Sequence, residues 1–260
     1  MNLWQGILLG FVQGVTEFLP VSSDGHLVLV KHLAGVSTPG VFVEIALHVA
    51  TLGAVLVVYG GRFWRLTLGV LRRDRDALVY TGLLVLATLP AVFVGLFLKH
   101  AVERTFDSLW WAGGGFVVTG TALWTTRRLT GARAVPSPGA AVVIGTGQAL
   151  AILPGVSRSG LTVSAGLWSR LTPVDAAAFS FLMAIPAIMG AAILEVPEAM
   201  ADIHRVGAVP LVVSCVVAFV TGVWSIRWLV ALLARGRFYA FAPYCWAIGA
   251  FTLAYALWHG

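Results

Sequence analysis

Apolar residues run almost unbroken through six stretches of the chain, at about 41–59, 78–98, 109–126, 175–194, 207–232 and 241–258. Each is long enough to cross a hydrocarbon core of ~30 Å at about 1.5 Å per helical residue. Such runs do not build an ordinary sandwich of core and surface, so they predict six membrane-spanning helices. Two further regions, 3–34 and 139–172, are too long for one crossing and too short for two. Each is broken in its middle, the first at Pro20 and 22–25, the second at 154–160. A short helix, a break and a short returning helix fit that pattern. Non-helical backbone at such depth is tolerated only where protein or a water-filled cavity covers it, so each region is predicted to be a re-entrant hairpin.

The two broken regions resemble each other. A shift of 135 residues superposes Gly10 on Gly145, Gln13 on Gln148, Val21 on Val156, Ser22 on Ser157 and Gly25 on Gly160. The expected fold is therefore an all-α polytopic membrane protein. Six transmembrane helices and two re-entrant helical hairpins form an inverted-topology repeat. A single membrane domain covers 1–260, with repeat one at about 1–126 and repeat two at about 139–260.

Composition sharpens this picture. The chain is 59% hydrophobic and only 11% charged, against about 25% charged in a soluble domain, and its mean hydropathy is +0.91. The net charge of +6 reads as topological, with no nucleic-acid partner. Arg62, Arg65, Arg72, Arg73 and Arg75 crowd one loop, Arg127, Arg128 and Arg133 a second, and Arg235 and Arg237 a third. Taking these loops as cytoplasmic gives a consistent alternation, with the first hairpin entering from outside and the second from inside. Trp64, Trp110, Trp111 and Trp258 read as interface anchors. Cys215 and Cys245 lie in apolar segments and offer neither a disulfide framework nor metal spacing. Residues 1–9 lack the basic start of a cleavable signal.

Chemistry concentrates in the breaks. In the run TEFLPVSSDGH (16–26), Glu17 is a carboxylate inside an apolar segment. It needs a cation, a bound metal or a proton. Gln13 lies four residues earlier, on the same helical face. Pro20 ends the first half-helix, and Ser22, Ser23 and Asp24 are residues that start the next. The exposed amides of that start favour an anion. His26 follows Ser23 by three residues, a spacing open to nucleophile and base. The second break, PGVSRSGLT (154–162), contributes Arg158, whose planar fork suits a carboxylate or a phosphate. A structural Arg158–Glu17 pair is the plainer alternative. Ser157, Ser159, Gly160 and Thr162 lie beside Arg158 at a second half-helix start, and together the two breaks make a phosphate trap. Glu44 and His48, four residues apart, belong either to its surroundings or to a packed pair. The glycines 113–115 read as close helix packing.

These motifs match something known. Gln13 and Glu17 followed by FLPVSSDGH, then GQALAILPGVSRSGLT, closely resemble the undecaprenyl-diphosphate phosphatases of the bacitracin-resistance family. The likeness extends through FVEIALHVATLGAVL and FSFLMAIPAIMGA. It implies removal of the terminal phosphate of undecaprenyl diphosphate at the outer face of the cytoplasmic (inner) membrane. That reaction recycles the lipid carrier for cell-wall synthesis and confers bacitracin resistance. Carried over, Ser23 is the nucleophile, His26 or Glu17 the base, and Arg158 the phosphoryl clamp. Gln13, Ser22, Ser157, Ser159, Gly160 and Thr162 hold phosphate. Glu17 is also the candidate ligand for an optional Mg2+ or Ca2+, and no organic cofactor is implied. The residue after the serine pair is often Thr or Ser in relatives; here it is Asp24. Undecaprenyl diphosphate and the lipid bilayer are the implied partners, with a homodimer admitted. A transporter or flippase for an anion or phosphate-bearing lipid would use the same helix ends and Arg158, and is the alternative reading.

Overall fold

The computed structural model describes residues 1–34, 40–106, 108–202 and 207–259. Among them every helix or strand element is a helix, and one isolated parallel bridge joins Arg133 and Leu171. The first region forms α1 (Leu3–Thr16) and α2 (Ser23–Ala34), and the second forms α7 (Pro138–Leu150) and α8 (Arg158–Trp168). These four helices have 14, 12, 13 and 11 residues. At about 1.5 Å per residue each covers about 16–21 Å, roughly half a bilayer. The long helices are α3 (Gly40–Leu71), α4 (Arg75–Phe97), α6 (Leu109–Thr125), α9 (Pro173–Asp202), α10 (Ala208–Ala234) and α11 (Ala242–His259). A five-residue α5 (Lys99–Glu103), which the apolar pattern did not indicate, follows α4.

All six predicted spans are helices. Five segments, Phe42–Leu71, Arg75–Phe97, Pro173–Ile193, Ala208–Ala234 and Phe238–Trp258, are long and apolar enough to cross a membrane. The sixth, α6, has 17 residues and reaches about 26 Å. One loop is shorter than expected. Arg62 and Arg65 sit on α3, which continues to Leu71, so the connection to α4 is only 72–74. The helix continues because its cations find partners. Arg62 Nη1 donates to Asp175 Oδ1 at 3.1 Å and Nη2 to the Tyr80 hydroxyl at 3.3 Å. Trp4, Phe93, Phe97, Trp224 and Leu257 are among many large apolar side chains left exposed, which suits contact with lipid and not with water.

Packing partners are exchanged between the halves. Helix α1 lies along α10, and α7 lies along α4. Gly10 and Gly145, which the 135-residue shift superposes, make these approaches close. A Cβ at Gly10 would strike the backbone of Ser214 on α10, and one at Gly145 the backbone of Ala87 on α4. Small residues at such crossings let backbones meet without side chains between them. Gly113 packs on Leu253 of α11 and Gly115 against the second break, whereas Gly114 faces open space.

The breaks survive because their polar backbone is matched. In the first, Ser159 Oγ donates to the Leu19 carbonyl at 3.2 Å and Cys245 Sγ to the Pro20 carbonyl at 3.3 Å. In the second, Thr119 Oγ1 donates to the Gly155 carbonyl at 3.1 Å and accepts from the Ser157 amide at 2.9 Å. Buried backbone groups left unpaired here would each cost a lost hydrogen bond or more. The chain turns at Gly155, with φ +83°, and at Ser22, with φ 64°. The latter is a left-handed conformation that a serine adopts only when its surroundings enforce it.

Candidate active site

Each break ends in a serine cap. Ser22 Oγ accepts from the Gly25 amide at 3.3 Å, and Ser157 Oγ from the Gly160 amide at 3.1 Å. Of the three candidate caps in the first break, Ser22 takes the position, which leaves Ser23 as the first residue of α2. Arg158 is the first residue of α8. The breaks also touch, since a Cβ on Gly25 would meet the backbone of Gly155.

Glu17 lies where they meet. It is 8% exposed. Its Oε1 pairs with Arg158 Nη2. Its Oε2 accepts from Ser23 Oγ at 2.8 Å and from Gln13 Nε2 at 3.1 Å. On α3, His48 Nδ1 donates to the Glu44 carbonyl at 2.8 Å. That turns Nε2 toward Glu17 Oε2, 3.7 Å away. A buried carboxylate is costly unless paired and hydrogen-bonded, and this one is both.

A cavity of about 700 Å³ opens on the cluster. Glu17, Ser22, Ser23, Asp24 and Ser157 line it with Arg158, joined by Glu44 and His48 from α3. The rest of the wall is largely apolar, with Val92 and Leu96 of α4, Val102 of α5, and Ile188 and Ile193 of α9. A charged pocket with a long apolar wall suits an amphiphile carrying an anionic head.

The structure does not bring together every residue that the sequence singled out. Ser23, Gln13 and Arg158 each contact Glu17, and Ser22 and Ser157 line the cavity beside it. His26 turns away. Its Nδ1 donates to the Ser22 carbonyl at 2.7 Å and its Nε2 faces the Tyr244 hydroxyl at 2.6 Å. The ring stacks on Tyr244 and meets Phe116 edge-on. Helical spacing puts residues 23 and 26 on one face, but Ser23 opens the helix and reaches back across the break. Ser159 is committed to the first break. Thr162 is fully buried and shares a 2.6 Å hydrogen bond with Ser180 on α9. Gly160 serves the Ser157 cap. All three sit in the packing behind the cavity wall.

Sequence reasoning undervalued His48 and Glu44, whose four-residue spacing was the available signal, and passed over Gln148 as a site residue, although the repeat register pairs it with Gln13. Among the described residues, no three of His, Cys, Asp and Glu converge as a metal site. Both oxygens of Glu17 are held by protein groups.

Residues 6–251 match the family model described as bacitracin resistance protein BacA. The chain is 43% identical to an undecaprenyl-diphosphatase of Desulfosudis oleivorans, over 96% of this chain and 97% of that relative. It is 39% identical to the undecaprenyl-diphosphatase of Desulforapulum autotrophicum, over 97% and 98%. The undecaprenyl-diphosphatase of Rhodopirellula baltica is 40% identical, over 92% of each chain.

Proposed function

Because the chain belongs to the bacitracin resistance protein BacA family, we propose that the Glu17 cavity is where it hydrolyses undecaprenyl diphosphate to undecaprenyl phosphate and inorganic phosphate. One observation carries this placement. Ser23 and Arg158, from two separate breaks, grip opposite oxygens of one buried carboxylate that lines an amphiphilic cavity.

Ser23 Oγ attacks the terminal phosphorus while Glu17 Oε2, already its acceptor at 2.8 Å, takes the proton. The Oγ–P bond forms and the bond from that phosphorus to the bridging oxygen breaks. The electron pair leaves with undecaprenyl phosphate. Water then hydrolyses the phosphoserine, and Glu17 returns the proton to Ser23. The serine hydrogen bond favours Glu17 over His26 as the base. Arg158 can turn part of its fork from Glu17 to the phosphoryl oxygens as charge moves, and amides at the half-helix starts add to that stabilisation. Phosphoryl transfer is largely positioning and charge stabilisation. The apolar wall gives the first isoprene units a path toward lipid.

A diphosphate enters a cavity that already holds Glu17, Asp24 and Glu44 against Arg158 and His48. The balance is negative, so Mg2+ or Ca2+ would arrive bound to the headgroup, with Asp24 and Glu44 as the carboxylates that would face it. Among the described residues there is no three-ligand site to hold the ion alone.

The chain is a multi-pass membrane protein, and we place it in the inner membrane with the cavity toward the outer face. The cavity-lining residues sit near the start of α3 (Glu44, His48) and in the later parts of α4 and α9 (Val92, Ile188). Arg62 and Asp175 pair at the opposite ends of α3 and α9. If the arginine-rich side is cytoplasmic, the cavity faces outward. Phosphate release from undecaprenyl diphosphate by detergent-solubilised protein, with no compartments present, tests the hydrolytic reading against transport.

A further inference from the structure

Gln13 and Gln148, superposed by the repeat, are satisfied differently. Gln13 donates to Glu17, four residues on. The residue four on from Gln148 is Ile152, which offers no acceptor. Gln148 is 3% exposed and lines the cavity. Neither its Oε1 nor its Nε2 has a hydrogen-bond partner among the described residues. The other unpartnered buried hydroxyls, on Tyr59, Ser164 and Ser225, lie away from the cavity wall. Such orphans are rare and need an explanation. A buried carboxamide without a partner costs more than an apolar group of the same shape, so folding alone gives no reason to keep one here.

We propose that Gln148 is a headgroup-binding residue, its Nε2 donating to a non-bridging phosphate oxygen of the diphosphate. This rests on the hydrolytic reading of the same cavity and extends it. The second hairpin then supplies two donors to the anion, Arg158 from α8 and Gln148 from α7. The first hairpin supplies the nucleophile and base. Repeat divergence explains the split, because Glu17 consumes the amide of Gln13 whereas Ile152 leaves that of Gln148 available.

The test is Gln148→Met, similar in size and apolar, compared with wild type in two measurements. One is steady-state hydrolysis of undecaprenyl diphosphate. The other is the rise in thermal midpoint produced by inorganic pyrophosphate. The expected result is an unchanged or higher midpoint without ligand, a fall in kcat/KM of about tenfold to a hundredfold, and loss of the pyrophosphate shift. A variant that keeps the pyrophosphate shift, or keeps wild-type kcat/KM, overturns the proposal. Wild type that shows the shift but releases no phosphate overturns the hydrolytic reading alone, and loss of the shift in Gln148→Met then still upholds the contact. Wild type with neither turnover nor shift overturns both.

Discussion

Ser23 and Arg158 occupy the same place in two half-helices, the first residue after a serine cap, and they bind opposite oxygens of Glu17. The repeat register superposes them. One half-helix supplies a hydroxyl there and the other a guanidinium, and folding brings the two chemistries onto one carboxylate.

Ser23→Ala should abolish turnover and spare the fold. Its hydroxyl supplies one of several contacts to Glu17, so stability should change by only about 1 kcal/mol. Phosphate release should fall by at least about a thousandfold. Rapid quenching of wild type during turnover, followed by peptide mass analysis, should find phosphate on Ser23. An unphosphorylated Ser23 under those conditions would give the attacking role to water.

Arg158→Ala should lose both activity and stability, because it strands a buried carboxylate. Breaking such a pair costs about 3–5 kcal/mol. Adding Glu17→Gln removes the stranded charge, so the double variant should regain much of the stability and none of the phosphate release. Thermal unfolding in detergent reads the first effect and a phosphate assay the second. Equal stability in the single and double variants would mean that the pair contributes nothing to holding the breaks together.

His26 should behave as a support of the first break. Its Nδ1 holds the carbonyl of Ser22, the residue forced to φ 64°. His26→Ala should lower kcat and the thermal midpoint together while leaving the shape of the pH–rate profile intact. His26→Asn, which can still donate to a backbone carbonyl, should recover part of both. A changed profile with an unchanged midpoint would return the histidine to proton transfer.

Chelation separates a resident ion from one carried by substrate. Since the described carboxylates build no closed site, EDTA should leave the thermal midpoint of the free protein unchanged. It should raise KM for undecaprenyl diphosphate by weakening entry of the headgroup into a negative cavity, and added Mg2+ should reverse this. A midpoint that drops with EDTA in the absence of substrate would show an ion bound by protein alone.

Much of this was legible in the residues. Apolar run lengths locate the long helices, and Pro20 and Pro154 locate the breaks, because these signals are local. Glu17 stands out because a carboxylate in an apolar segment must have a partner. Sequence offered Arg158, 141 residues away, as that partner, but only packing shows that the pair forms. Nor could it show that Ser159 and Thr162 face away from the cavity. A helix start exposes all its hydroxyls alike on paper, and only packing against Leu19 and Ser180 assigns them. The surroundings of His26 were illegible for a related reason: helical spacing pairs it with Ser23, but the break redirects the serine to Glu17. Gln148 comes from α7, outside the two breaks, and no local spacing announces that it lines the same cavity, whereas for His48 the spacing to Glu44 left a place beside the site and a packed pair equally open.

Thr119 tests whether the second break is held from outside. It is fully buried on α6 and serves both sides of the break, donating to the Gly155 carbonyl and accepting from the Ser157 amide. Thr119→Val keeps the shape and strands both backbone groups, at about 1–3 kcal/mol each. The midpoint should fall. Phosphate release should fall further than stability alone requires, because Ser157 caps the helix that aims Arg158 at Glu17. Thr119→Ser retains the hydroxyl and should restore activity more fully than stability, having lost one buried methyl. If Thr119→Val instead matches wild type in both measurements, the break is rigid without α6, and the aim of Arg158 must come from Glu17 itself.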